Sequence, residues 1–351
     1  MSSFWPVALV AVIHCLIFPT AVNAEVAFVR PNSSVSCASS SQQPCLTFNE
    51  YAQQVEQYFV DDTTFLFLHG THQLDFQLDL EGLSNISFAP LDNQNDTVQL
   101  LLSLPFNITF TDCTDIEISR LVFILSGKRM NVFVPYGRYE DSPQLAFQNA
   151  TGHLSQLTLT GSGTGTFVAC FSSHVQISNL VANGIKAQTL YANNSIVDFY
   201  GQNRFHNNHI GDLAEALYIL TLENCYYNFY GNASFVNNSR AAVAAYGESH
   251  TIISGDLLFL SNTINSTLEL QSAMNFSGGT CNISGNVLFK NNTAPYRGNQ
   301  ITLLNGATCY IPGSISFLQN DVYSTEFEGN YGGAAILVQY SALSISGGIY
   351  I

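Results

Sequence analysis

The chain has 351 residues, 46% of them hydrophobic and only 10% charged, and its 10 Lys and Arg stand against 25 Asp and Glu, for a net charge of −15 and a pI near 4.6. Nucleic acid and anionic membrane surfaces are disfavoured as partners, because both are held by basic patches that so few cations do not easily build. The length admits a large core, and with little charge the surface must be wetted by the abundant Asn, Ser and Thr.

In chain order, the first element is the apolar run VALVAVIHCLIF from Val7 to Phe18, too short to span a bilayer and followed by the small residues of AVNA, Ala21 to Ala24. This predicts a signal peptide over 1–24 and a secreted or cell-surface chain, with no further membrane span. Twelve Asn-x-Ser/Thr sequons agree with that compartment: Asn32, Asn85, Asn95, Asn107, Asn149, Asn193, Asn232, Asn237, Asn265, Asn275, Asn282 and Asn291 are expected N-glycan sites. Cys15 falls in the signal peptide and leaves seven cysteines, an odd number. Cys37 and Cys45 close a short loop and are expected to form a disulfide.

In CLTFNEYAQQVEQYF, Tyr51, Val55, Tyr58 and Phe59 follow i, i+4, i+7 and i+8, which predicts an amphipathic helix from about Leu46 to Phe59. HQLDFQLDL then alternates, with Leu74, Phe76, Leu78 and Leu80 on one side, as a half-buried strand does. Similar short runs continue at Phe106, Ile108 and Phe110, at Ile116 and Ile118, and at Leu157 and Leu159, each broken by Gly, Asn, Ser or Asp. No linker composition interrupts them. Residues 25–64 therefore form an N-terminal cap and 65–351 one continuous body.

Within that body an octet recurs: GQNRFHNN from Gly201, GNASFVNN from Gly231, GDLLFLSN from Gly255, GNVLFKNN from Gly285 and GSISFLQN from Gly313, in steps of 30, 24, 30 and 28 residues. A repeat of about 28 residues filled with short strands and turns predicts an all-β, right-handed parallel β-helix, each turn lying ~4.8 Å above the last. Phe205, Phe235, Phe259, Phe289 and Phe317 are expected to stack inside it. Each glycine sits where backbones approach closely or turn. Asn208, Asn238, Asn262, Asn292 and Asn320 are placed at a bend, in left-handed backbone, with amides bonding up and down the coil. Unequal steps imply loops of variable length at another corner. About ten turns make a rod of ~50 Å whose first end the helix plugs. LSISGGIYI ends uncapped inside a turn, which predicts further chain beyond residue 351.

Cys281 and Cys309 each precede a repeat glycine by four residues and are expected to stack in adjacent turns, either bridged or as a reduced ladder. Cys113, Cys170 and Cys225 are expected in the interior. Asn237 and Asn291 immediately precede ladder asparagines, so one corner would carry sugar beside the ladder.

CASSSQQPCLTFNEYA, TTFLFLHGTHQL, CTDIEISRLVF and CFSSHVQISNL resemble the secreted right-handed parallel β-helix proteins of the pectin-lyase-like superfamily found in marine invertebrates. The F-x-x-N motif, joined to GGAAI at Gly332 to Ile336, is similar to the repeats of chlamydial polymorphic outer membrane proteins, which act as adhesins. The first resemblance implies the coil, the second surface recognition.

The coil scaffold also serves polysaccharide lyases, which need a basic group near cation-holding acids, and glycoside hydrolases, which need paired carboxylates. Arg120, Lys128, Arg129, Arg138, Lys186, Arg204, Arg240, Lys290 and Arg297 share no repeat phase with acidic partners, and no N-T-D, D-D, G-H-G and R-I-K set occurs. Asp75, Asp79, Asp115 and Glu117 read as a solvated strand face rather than a Ca²⁺ site. His69 with His72, and His206 with His209, lack a third ligand. No catalytic, cofactor or metal residue is therefore assigned. Tyr226, Tyr227, Tyr230 and Tyr310 are the candidates for an exposed aromatic row. The sequence reads as a non-catalytic extracellular module that recognises glycans or proteins, of open oligomeric state, with a diverged polysaccharide lyase or glycoside hydrolase, or a structural spacer, as alternatives.

Overall fold

Short runs in which alternate residues are apolar, each closed by Asn, Ser or Gly, become strands here, with one parity turned inward: Phe65 and Phe67 are buried in Thr63–Phe67, and Ala233 and Phe235 in Asn232–Val236. The computed structural model describes residues 25–31, 45–91, 97–103, 107–126, 144–163, 165–186, 188–209, 218–239, 241–264, 272–295, 299–323 and 335–351. Strands pair in parallel with those one coil turn on, building three long sheets of 13, 11 and 10 strands among the described residues, with Thr293–Pro295 and Asp321–Tyr323 as a separate pair. We label them A, B and C; the chain passes from A to B to C and returns to A one turn higher. This is a parallel β-helix.

Turn length is far from constant. Partners one turn apart are separated by 22 residues at Ser173 and Ser195 but by 37 at Asp112 and Asn149. The extra residues lie almost entirely between sheets B and C, as between Ser126 and Leu145, His206 and Tyr218, or Leu260 and Ser272. The repeat near 28 is thus a shorter coil turn with loops inserted at one corner.

The octet occupies sheet B and the bend leaving it. The five phenylalanines stack with centroids 4.7, 5.0, 4.6 and 5.2 Å apart and interplanar angles of 13° or less, each burial stabilising by roughly 1.5–3 kcal/mol. The glycines are required by close approach: a Cβ on Gly285 would collide with the backbone carbonyl of Gly255 one turn below. The asparagine ladder forms, with one correction. Left-handed backbone belongs to the preceding residue, Asn207, Asn237, Ser261, Asn291 and Gln319, which turns the chain so that the ladder asparagine points inward. Asn238, Asn262 and Asn292 are then buried, each receiving the N–H of the ladder residue below on Oδ1 and donating Nδ2 to a phenylalanine carbonyl. A second ladder climbs the corner from C to A, where Ser173, Ser195 and Ser249 accept the N–H groups of Ala150, Ser173 and Cys225 at 3.0–3.1 Å.

Three expectations change in detail. The single helix over 46–59 is two pieces, Phe48–Ala52 and Val55–Tyr58, the first opened by a Thr47–Glu50 capping box. Both lie over the coil end, and Tyr51 and Phe59 pack on Phe65. The strand HQLDFQLDL is two strands, Gly70–Leu74 in sheet B and Leu78–Glu81 in sheet C. Asn49 clamps the corner between them through Asp75, leaving Phe76 exposed. Sheet A begins earlier than expected, because Glu25–Arg30 and Cys45–Thr47 extend it below Thr63–Phe67. Residues 1–24 and the GGAA of Gly332 to Ala335 are, apart from Ala335, outside the described residues.

Cys281 and Cys309 are in-register neighbours, with Cα atoms 4.5 Å apart, and they are bridged rather than reduced. Cys45 is disulfide-bonded; Cys37, its expected partner, lies outside the described residues. Cys113, Cys170 and Cys225 are buried free thiols, and burial pushes all three above the ordinary thiol pKa.

Candidate functional site

Among the described residues the outer face of sheet A gathers a cluster of exposed large apolar side chains. Outward positions of successive strands form columns up the coil. One column runs His174, Ile196, Tyr226, His250 and Thr280; the next runs Gln176, Asp198, Asn228, Ile252, Asn282 and Tyr310. Of the four candidate tyrosines, Tyr226, Tyr230 and Tyr310 are 56%, 47% and 46% exposed, whereas Tyr227 is fully buried. Tyr227 has the opposite parity in its strand, and its ring packs edge-on against Phe199 and Phe229.

Tyr226 stacks on His250 at 4.9 Å, and Tyr200 stacks on Tyr230 at 5.2 Å. Tyr200 was not among the candidates, yet it completes the second pair. Its hydroxyl is pushed above the ordinary tyrosine pKa by partial burial, then by the neighbouring Asp198 and Tyr230. Between the two stacks lies a polar network: the buried Asp198 receives Asn228 Nδ2 at 2.6 Å and pairs with His174 Nε2 at 2.9 Å. Exposed Ile196 and Ile252 flank it. Below, Asn149, Thr151, Ser172, His174, Asn194 and Ile196 line a shallow depression of about 250 Å³. A sequence signal for this face exists: IVDFY, YYNFY and HTII are apolar or aromatic at both parities, which one-sided burial does not require.

The outer face of sheet C is the second cluster. Glu223 accepts Tyr191 Oη and Asn193 Nδ2, both at 3.0 Å. Asn275 Nδ2 donates to Tyr218 Oη at 2.9 Å, and burial raises the hydroxyls of Tyr218 and Tyr246. In-register neighbours of Glu223 are Asn193 and Tyr246, neither a carboxylate. Neither in-register neighbour thus opposes Glu223 with the second carboxylate that glycoside hydrolysis uses.

The remaining sequence candidates scatter. Asp75 is engaged by Asn49 and Gln73, and Asp79 by Gln77. His72 is buried, with Nε2 bonded to the Leu68 carbonyl, and burial lowers its pKa. Among the described residues no group of three His, Cys, Asp or Glu could hold a metal ion, and no helix is long and apolar enough to cross a membrane. Asn85, Asn149, Asn237, Asn282 and Asn291 are exposed, and Asn107, Asn193 and Asn232 half-buried. Asn32, Asn95 and Asn265 lie outside the described residues. Asn275 is 5% exposed, and its amide nitrogen donates to Tyr218.

No family model matches the chain, and no curated protein does. Solved structures do. A rhamnogalacturonan lyase is 10% identical, with 92% of this chain and 87% of that chain covered and a TM-score of 0.44. An alginate lyase with G6 is 10% identical over 93% and 86%, at 0.36. The catalytic domain of a GH87 alpha-1,3-glucanase with nigerose is 11% identical over 91% and 68%, at 0.30. The class, a parallel β-helix, rests on this chain's own three sheets, and likeness at this level assigns no activity.

Proposed function

We propose that the chain is a secreted or cell-surface, glycosylated recognition module without catalytic activity, which binds an extended, uncharged polysaccharide on the outer face of sheet A. The observation that carries this reading is the exposed cluster Ile196, Tyr200, Tyr226 and Tyr230 around the His174–Asp198–Asn228 network. A contiguous exposed apolar patch with polar groups beside it marks an interaction surface. Sugars match this chemistry: their C–H faces pack on aromatic rings, and their hydroxyls bond to amide, imidazole and carboxylate groups. Tyr200 stands in register with the small Ser178, which leaves the outer face of its stack open. A net charge of −15 and the buried Asp198 favour neutral polymers over polyuronates.

The test is affinity electrophoresis of the secreted protein in gels containing neutral glucans, xylans or polygalacturonate, alongside a reducing-end assay on each polymer. Retardation by a neutral polymer is expected, weakened about tenfold or more in the Tyr226→Ala, Tyr230→Ala double variant at unchanged folding. Released product from any polymer overturns the non-catalytic reading and supports a diverged lyase or hydrolase. Retardation that survives the double variant overturns the assigned face. No retardation by any polymer overturns the glycan reading in favour of a protein partner or a spacer.

A further inference from the structure

We infer that Asn282 carries an N-linked glycan whose inner sugars pack on Tyr310 and Ile252, so that the glycan is the occupant of the upper part of the sheet A face. This inference rests on passage through a secretory compartment and not on the recognition role proposed above.

Asn282 opens the sequon Asn-Ile-Ser and stands in register between Ile252 on the strand below and Tyr310 on the strand above. In-register side chains on adjacent strands leave the same face ~4.8 Å apart. Asn282 is exposed, as are Ile252 at 41% and Tyr310 at 46%, so a polar attachment point sits between two apolar side chains that the described residues leave partly bare. Tyr310 Oη lies 3.2 Å from Ser346 Oγ, which tethers the ring and makes it a fixed surface.

Among the described residues the other sequons lack this combination: Asn107 and Asn232 are half-buried. The amide nitrogens of Asn85, Asn149, Asn193 and Asn275 are already donated to Asp62, Asp112, Glu223 and Tyr218. Asn237 and Asn291 project from the corner leaving sheet B, in left-handed backbone. The side-chain amide of Asn282 makes no hydrogen bond among the described residues and is free for attachment. An N-acetylglucosamine linked there presents C–H groups and an acetyl methyl to the adjacent ring and aliphatic chain, covering surface that otherwise costs free energy in water.

The test uses full-length protein secreted from eukaryotic cells. Glycopeptide mass spectrometry is expected to find Asn282 occupied, and an empty Asn282 overturns the inference. On the intact protein, ring-current shielding should move the acetyl methyl NMR signal of the Asn282-linked sugar upfield of those at Asn237 and Asn291. Tyr310→Phe should retain that shift and Tyr310→Ser should abolish it. Endoglycosidase trimming of the native protein should be several-fold slower at Asn282 than at Asn291, with the difference lost in Tyr310→Ser. An occupied Asn282 whose signal and trimming rate ignore Tyr310→Ser shows a glycan projecting freely into solvent and overturns the packing.

Discussion

Asn262 joins three turns of the coil. Its Oδ1 receives the backbone and side-chain N–H groups of Asn238 at 2.9 and 3.0 Å, and its Nδ2 donates to the Phe235 carbonyl at 2.8 Å and to Asn292 Oδ1 at 3.0 Å. Asn262→Ala leaves buried groups unsatisfied in the turns above and below, at a cost of about 3 kcal/mol or more. Asn262→Asp keeps the acceptors and loses both donations, so denaturant titration should find it no more stable than the alanine variant. His72 supplies a pH prediction. Burial holds its folded-state pKa below the ordinary 6.5, so below that pH the unfolded chain binds a proton that the folded chain refuses. Its contribution is present above pH 6.5 and is lost as the pH falls toward the depressed folded value. The denaturation midpoint should fall over that window in the native chain and fall less in His72→Gln. At this scale the Phe and Gly phases were legible because burial and close approach each admit few residue types. The ladder slot was legible too, but not its backbone: in HNN, VNN and KNN two adjacent asparagines have opposite roles. Only the replacements Ser261 and Gln319 distinguish the turning position from the buried one.

Strands and corners are read from alternation, and alternation passes through a corner without a mark. HQLDFQLDL shows this: Leu74, Leu78 and Leu80 are buried, while Phe76 is at the bend and 41% exposed. The chain turns because Asn49, distant in sequence, bonds Asp75 on both its backbone and its carboxylate, a tertiary cause that no local pattern carries. The helix breaks for a related reason: the apolar spacing runs through Gln53 and Gln54 unmarked, yet Gln54 leaves helical backbone, and Phe59 after the second piece packs on Phe65 at the coil end. The glycine column, by contrast, gives a sharp prediction. Gly231, Gly255, Gly285 and Gly313 each pass so close to the glycine carbonyl below that an added Cβ collides with backbone. Gly285→Ala must therefore spread two turns, with a cost in the 1–3 kcal/mol range of overpacking or above it. Hydrogen exchange should accelerate at Leu257–Leu260 and Val287–Lys290, the strands flanking the collision, more than at Thr151–Ser155. Uniform exchange along the coil would argue that the column is loose.

A coil makes every strand of sheet A a step of a ruler, and the ruler sets what the molecule can measure. The bare part of the aromatic face spans the four successive strands His174–Ser178, Ile196–Tyr200, Tyr226–Phe229 and His250–Ile253, a distance of ~14 Å at one strand spacing per step. Below it the outward column positions are Thr151, His153 and Glu117, without tyrosine or exposed isoleucine; above it stands Asn282. The stacked rings and the Asp198 network hold each side chain in place, so a ligand does not have to order the surface it binds. Affinity for oligosaccharides of the bound polymer should accordingly rise with length up to ~14 Å and then level off, although the rod itself is several times longer. Binding should also change little with ionic strength, because an uncharged ligand displaces few counterions from a chain of net charge −15. Calorimetry over an oligosaccharide length series, repeated at low and high salt, tests both. An affinity that keeps climbing far beyond the patch would spread the site along the whole rod. One saturated by a single sugar would move it to the depression beside His174, and steep salt dependence would replace the neutral ligand with a charged one.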